Sequence, residues 1–340
     1  MSISRVTLKD VAAACGYTAN TVSRAMRGDE RLPTATRERI QAEAERLGYI
    51  PNTLAGALRS GRRNTVAVII NDVQNLHFCS LLSRMDSVFR ASDYNMLILC
   101  MQSDGHLGEQ MIQSALSQSV DGIAYFPNLD DGNRIGLIRR NHVPFVLMDR
   151  YANGIEADCV RCDDEAGGYQ AADALLRQGH RRILFLAGPD FSSSQVERIS
   201  GIRWAFRDHE VDTEQGLRIV PGDQVENAIR RNSMKELLLP VDYTAILSFR
   251  DEVSYFVLNA LKELHLSVPG DLSLISFDNL NGDFPYLPRL TSVGPAGGSV
   301  SEEGARLLLE RIRNPEQPAR TVLLPTRVFD GGTVAPAACS

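Results

Sequence analysis

Residues 7–27, Thr-Leu-Lys-Asp-Val-Ala-Ala-Ala-Cys-Gly-Tyr-Thr-Ala-Asn-Thr-Val-Ser-Arg-Ala-Met-Arg, spell two short amphipathic segments around a glycine, and few local structures accept that order. Thr7 with Asp10 three residues later is an N-cap signal, Val11, Ala12 and Ala14 offer an apolar face, and Gly16 supplies a turn residue. Thr18 caps a second helix, which opens with Ala19, Asn20 and Thr21, turns Val22 inward and sets Ser23, Arg24 and Arg27 outward. A helix-turn-helix of this kind suits the major groove of DNA. Its first side chains reach base edges, while hydroxyls, guanidinium groups and the helix N-terminus hold phosphates. A packed helical hairpin with a solvated, Arg-rich face shares the local pattern, so the rest of the chain has to decide.

Ile40, Ala44 and Leu47 give Thr34–Leu47 a helical period that stops at Gly48, completing a three-helix head. Tyr49–Arg59 follows as a linker with conditional helix. Eight helical residues containing Gly56 are unstable alone, because nucleation is costly and glycine loses about 1 kcal/mol against alanine. Charge divides at the same place. Residues 1–64 hold eleven Lys/Arg against six Asp/Glu, net +5, whereas the remainder holds 25 basic and 36 acidic residues, net −11. A basic head attracts phosphates; an acidic body is repelled by them.

From Thr65 the chain alternates apolar strands with amphipathic helices: Val66–Ile70, Met96–Leu99, Gly122–Phe126, Phe145–Met148, Ile183–Ala187, Ala245–Ser248 and Leu274–Phe277. Continuous apolar strands with helical connections imply parallel sheets covered on both faces, with ligands at the strands' carboxyl ends. About 270 residues of this texture make two lobes with a cleft between them. No apolar run approaches the ~20 residues of a membrane span, and the first ten residues lack a secretory apolar core, so a cytoplasmic protein with no membrane partner is expected. The six cysteines form no disulfide framework. Cys159 and Cys162 lie on a strand where residues three apart face opposite ways, which disfavours zinc or redox use, and no metal or other cofactor is expected.

Several motifs in order resemble the LacI/GalR family of bacterial transcription repressors over essentially the whole chain. They are Thr7–Arg24, Thr36-Arg37, Tyr49-x-Pro51-Asn52, Val120-Asp121-Gly122, Met148-Asp149-Arg150, Gly179-His180-Arg181-Arg182-Ile183, Ile275–Asn279 and Leu290–Val293. The resemblance implies a small all-α helix-turn-helix DNA-binding head (1–49), a hinge helix and linker (50–64), and an α/β two-lobed periplasmic-binding-protein-like body with parallel sheets (65–340). It implies no enzyme. It implies a homodimer whose heads read the half-sites of a near-palindromic operator, controlled by a small sugar-like effector in the interlobe cleft.

Residue by residue, the resemblance places Ala19 and Asn20 at base-selecting positions with Arg24 beside them, and Thr7, Thr18, Thr21 and Ser23 among the DNA contacts. Leu58 matches a minor-groove wedge and Arg59 its neighbour, with Asn52 and Ala55 on the same DNA-binding connector. Gly56 stands where many relatives have arginine, and Pro33 where a serine cap is usual. In the body the matching ligand positions are His77, Phe78, Asp149, Arg150, Ser192, Ser194, Arg198 and Asp278, a set that suits hydroxyl-rich ligands because each hydroxyl both donates and accepts. Arg250, in Ser248-Phe249-Arg250-Asp251, replaces a common Asn-Asp and adds a cation. A sugar acid or phosphorylated sugar is therefore preferred, the alternative being that Arg250 pairs with a protein carboxylate. Gln224 stands where some relatives carry an aromatic platform. His180 reads as structural. The tail beyond Leu324 lacks leucine heptads, so a dimer without a tetramerising helix is expected. A transport solute-binding protein predicts a secretory signal and no basic head; a sugar-processing enzyme predicts a catalytic motif. The sequence offers neither.

Overall fold

Three helices form where caps and apolar spacing coincide: α1 (Leu8–Cys15), α2 (Ala19–Met26) and α3 (Thr34–Arg46). Thr7 caps α1 reciprocally with Asp10, and Gly16 ends it at φ +73°, a left-handed conformation that glycine takes without a Cβ penalty. Thr18 accepts the Thr21 N–H to start α2, whereas Pro33 precedes α3 with no side-chain cap. Val11, Cys15, Val22, Ala25, Ile40 and Ala44 close the head's core. Ala14, expected on the inner face of α1, is exposed, and Cys15 takes its place four residues after Val11. The computed structural model describes residues 6–50, 63–101 and 107–337. The chain divides into two compact units, Met1–Arg63 and Asn64–Ser340.

The second unit is built from alternating strands and helices. Its first lobe contains β1 (Thr65–Ile70), α4 (Leu76–Arg90), β2 (Asn95–Cys100), α5 (Gly108–Ser117), β3 (Gly122–Tyr125), α6 (Gly132–Arg140), β4 (Phe145–Met148) and β5 (Cys159–Cys162). The second lobe follows with α7 (Asp164–Arg177), β6 (Ile183–Leu186), α8 (Ser193–Asp208), β7 (Leu217–Val220), α9 (Gly222–Arg231), β8 (Ala245–Ser248), α10 (Asp251–Glu263), β9 (Ser273–Phe277) and β10 (Thr291–Pro295). Then α11 (Val300–Arg313) and β11 (Thr321–Leu324) return to the first lobe, and β12 (Thr326–Phe329) to the second.

Each lobe carries a six-stranded sheet, in the orders β11-β5-β4-β3-β1-β2 and β12-β10-β9-β8-β6-β7. All pairings are parallel except β12 on β10. Apolar cores cover both faces of each sheet, which is why the central strands read as unbroken apolar runs. Strands β7, β11 and β12 sit at sheet edges, are four residues long and each include a polar residue, a weaker signal than the unbroken apolar runs of the central strands. The chain crosses between lobes three times, and the crossings are laced together: the Asp163 N–H donates to the Leu324 carbonyl at 2.9 Å, and Ala296 to Pro325 at 2.7 Å.

Cys159 packs into the core on one face of the first sheet and Cys162 against the core on the other, so the two thiols cannot share a ligand. Burial pushes the Cys159 thiol up to about 12. His180 is buried, with ring nitrogens 2.9 Å from Thr244 Oγ1 and 3.0 Å from both Ser273 Oγ and the Ala335 carbonyl, a structural setting. Among the described residues no helix is long and apolar enough to cross a membrane.

Candidate functional site

Strands β1, β4, β6, β8 and β9 direct their carboxyl ends at one cleft of about 640 Å³ in the second unit, a volume suited to a small molecule. His77, Phe78, Asp149 and Arg150 line it from the first lobe, and Ser192, Ser194, Arg198, Arg250 and Asp278 from the second. Asn75 caps α4 by accepting the His77 N–H at 2.9 Å, which fixes His77 and Phe78 in the helix's first turn. Phe78 stands edge-on to Phe126, anchoring that wall.

At the centre, the His77 ring lies between carboxylates of both lobes, with Nε2 3.3 Å from Asp149 Oδ2 and Nδ1 3.7 Å from Asp278 Oδ1. Burial opposes charge on the ring, but Asp278 and Asp149 outweigh it and raise the imidazole to about 9, so it is a cation at neutrality. Asp149 answers in kind: burial raises it, yet His77 and the nearby arginines bring it down to about 2. Asp278 goes the other way, raised by burial beyond what His77 and Arg198 offset. Behind it, burial and Asp278 push Asp251 up to about 7, against hydrogen bonds from the Leu280 N–H and the Ser292 hydroxyl.

Arg198 is a fixed donor. Its Nε is 2.7 Å from Asp164, and its guanidinium stacks against the rings of Phe249 and Phe277 at 4.7 and 4.3 Å. Arg150 is buried and donates to Asn71 Oδ1 at 3.2 Å. Ser192 is 1% exposed and its hydroxyl has no hydrogen-bond partner among the described residues. The preferred expectation for Arg250, a cation free for an acidic ligand, is not what the structure holds. Its Nη2 lies 2.8 Å from Glu226 and its Nε 3.0 Å from Glu252.

On the head, Asn20 is exposed at the start of α2, with Ala19 and Thr21 half-buried beside it. Thr7 and Thr18 are exposed but occupied in capping, and Ser23 accepts from Arg27 at 2.9 Å. Arg24, expected to face outward, is half-buried and 2.9 Å from Asp29, a carboxylate that Arg31 also grips. Asn52, Ala55, Leu58 and Arg59 lie outside the described residues.

The model of "Bacterial regulatory proteins, lacI family" matches residues 7–52, and that of a "Periplasmic binding protein-like domain" matches 172–334. The chain is similar to the transcriptional repressor PurR of Vibrio atlanticus, 27% identical over 96% of this chain and 98% of the relative. It is also similar to catabolite control protein A of Priestia megaterium, 28% identical over 95% and 97%. The chain belongs to the LacI family. Its architecture matches the Lac repressor dimer bound to operator and the anti-inducer ONPF, at a TM-score of 0.80 and 21% identity over 98% and 100% of the two chains. It also matches the transcriptional regulator CelR in complex with cellobiose, at 0.68 and 25% over 97% and 100%. As a LacI-family member the protein is a DNA-binding transcription regulator and not an enzyme.

Some lining residues of this LacI-family cleft escaped the sequence reading. Asn71 and Asp72 follow β1 directly and were findable as strand-end residues. Glu226 and Asn227 sit on α9, whose inner face no strand-end rule identifies, and Gln224 on the same helix is exposed and does not line the cleft. Gly188 and Gly222 let the walls meet, since a Cβ on Gly222 would lie 2.1 Å from the Gly188 carbonyl oxygen.

Proposed function

We propose that this regulator is a cytoplasmic repressor that binds a near-palindromic operator as a homodimer and is released or engaged by a sugar-like effector held in the interlobe cleft. Residues 1–49 read DNA, 50–64 form the hinge and 65–340 sense and dimerise. The observation that carries the reading is the convergence of all nine candidate ligand residues on one cleft at strand ends of both sheets. Hydroxyl ligands suit it. Asp149 and Asp278 accept, Arg150 and Arg198 donate, and the unpartnered Ser192 hydroxyl does either. The CelR relative bound to cellobiose supports the same class.

Because each lobe contributes ligand groups, an effector binds the closed arrangement better than the open one, and only that difference transmits to DNA, typically about 1–3 kcal/mol. Asn20 offers an amide for adenine N6 and N7, a contact worth roughly 1–3 kcal/mol. The test starts with selection of duplexes from random oligonucleotides by the purified full chain, followed by fluorescence anisotropy on the selected duplex. Asn20→Ala should weaken binding about 5- to 150-fold with relaxed preference at one base pair per half-site. Absence of any preferred duplex, with and without sugars, would overturn the proposal.

A further inference from the structure

The cleft is richer in negative charge than in positive: seven carboxylates line it against four arginines and one histidine. Its buried cations already have protein counter-ions. His77 lies between Asp149 and Asp278, Arg198 is held by Asp164, and Arg150 is flanked by Asp149, Asp131 and Asp164. Arg250 is paired with two carboxylates, Nη2 on Glu226 of α9 and Nε on Glu252 in the first turn of α10. Only 15% of its side chain is exposed, and the Nε/Nη2 edge of its fork is taken up by carboxylates.

We infer that the cleft selects an uncharged, hydroxyl-rich effector over an anionic one, and that Glu226 and Glu252 determine this by caging Arg250. The inference rests on the cleft being the effector site. A phosphate or carboxylate approaching Arg250 is repelled by two carboxylates that line the same cleft and already neutralise the cation. A hydroxyl meets acceptors instead, because each carboxylate presents about four lone-pair sites and Arg250 occupies only part of them. The cage therefore does two things: it ties α9 to the start of α10, and it turns a cationic corner into an acceptor wall. That wall faces the Arg198 and Arg150 donors, an arrangement matched to a polyol ring.

Calorimetry on the full chain with matched pairs tests the inference: ribose against ribose 5-phosphate, glucose against glucose 6-phosphate, galactose against galacturonate. The wild type should bind the neutral member of a pair at least tenfold more tightly than its anionic partner. In E226Q/E252Q, which keeps shape and hydrogen bonding but removes both charges, that ratio should fall toward one. E226Q alone, which leaves Glu252 on Arg250 and puts less of the fold at risk, should give an intermediate ratio. A wild type that prefers the anionic member, or a ratio that the variants leave unchanged, would overturn the inference while leaving the cleft as the effector site. Failure of the wild type to bind any member of any pair would instead remove the reading of the cleft itself.

Discussion

Asp149 follows β4 in one lobe and Asp278 follows β9 in the other; both have positive φ, 64° and 99°, and the backbone N–H of each is held by the next strand, to Val160 and to Val293. The backbone thus treats them as equivalents, while their electrostatics diverge. Asp149 is brought down to about 2, and Asp278 is raised. Neighbours make the difference. Asp149 has the closer contact with His77 and borders Arg150, whereas Asp278 faces a second buried acid, Asp251, as well as Asp149. Strain of order 1–3 kcal/mol per residue is tolerated at both sites, as is usual where geometry serves binding. The lesson is that one lobe supplies a carboxylate whose charge its neighbours favour, and the other a carboxylate whose charge burial disfavours.

Removing the cation that both lobes share should break this balance most severely. Arg198→Met leaves Asp164 buried and unpaired, which costs about 3–5 kcal/mol in chemical denaturation of the full chain. Arg198 weighs more on Asp278 than on Asp149, so carboxyl NMR titration should show the larger rise at Asp278. Equal rises would mean that the asymmetry comes from elsewhere.

His77 couples the two aspartates and gives the comparison a pH dependence. Its folded-state value is raised from 6.5 to about 9, so the stability it contributes is complete below about 6.5 and is lost as pH rises through about 9. Between pH 5.5 and 10 the wild type should lose up to about 3 kcal/mol more than His77→Gln, measured by urea denaturation across that range. Parallel curves would show that the ring is neutral in the cleft. Asp149 has the opposite sign, its contribution being present above 3.8 and lost as pH falls through about 2.

The most direct test exchanges each acid for its amide, and asparagine tolerates left-handed backbone, so neither change adds strain. Asp149→Asn should cost about 2 kcal/mol at pH 7, because an ionised partner of His77 is lost. Asp278→Asn should be nearly neutral for stability, since it also relieves repulsion with Asp251. Equal costs would mean that the two sites are equivalent after all.

Much of this architecture was legible in the sequence because its signals are local. The caps at Thr7 and Thr18, the left-handed Gly16 and the four-residue apolar strands each state their structure within one turn or one strand. Residues just past those strands, Asp149 and Asp278 among them, were readable for the same reason. Ala14 misled because alanine is indifferent to burial. The cage on Arg250 was unreadable in its particulars: Glu226 reaches it from the helix after β7, which β6 separates from β8 in the sheet, and no spacing rule joins the two. The opposite tendencies of Asp149 and Asp278 were equally hidden, being a property of charges assembled from both lobes.

Ser192 gives the smallest expected effect and sharpens the comparison on the second-lobe side, where acceptors and donors await a ligand. Its buried hydroxyl has no hydrogen-bond partner among the described residues, so its desolvation is not offset by them. Ser192→Ala should therefore change stability by less than about 1 kcal/mol, in the stabilising direction, while weakening binding of a cognate sugar several-fold by calorimetry. A destabilised protein with intact sugar affinity would show that the hydroxyl serves the loop after β6 rather than the ligand, and the second lobe would then meet the effector through its other lining groups, Asp278 and Arg198 among them.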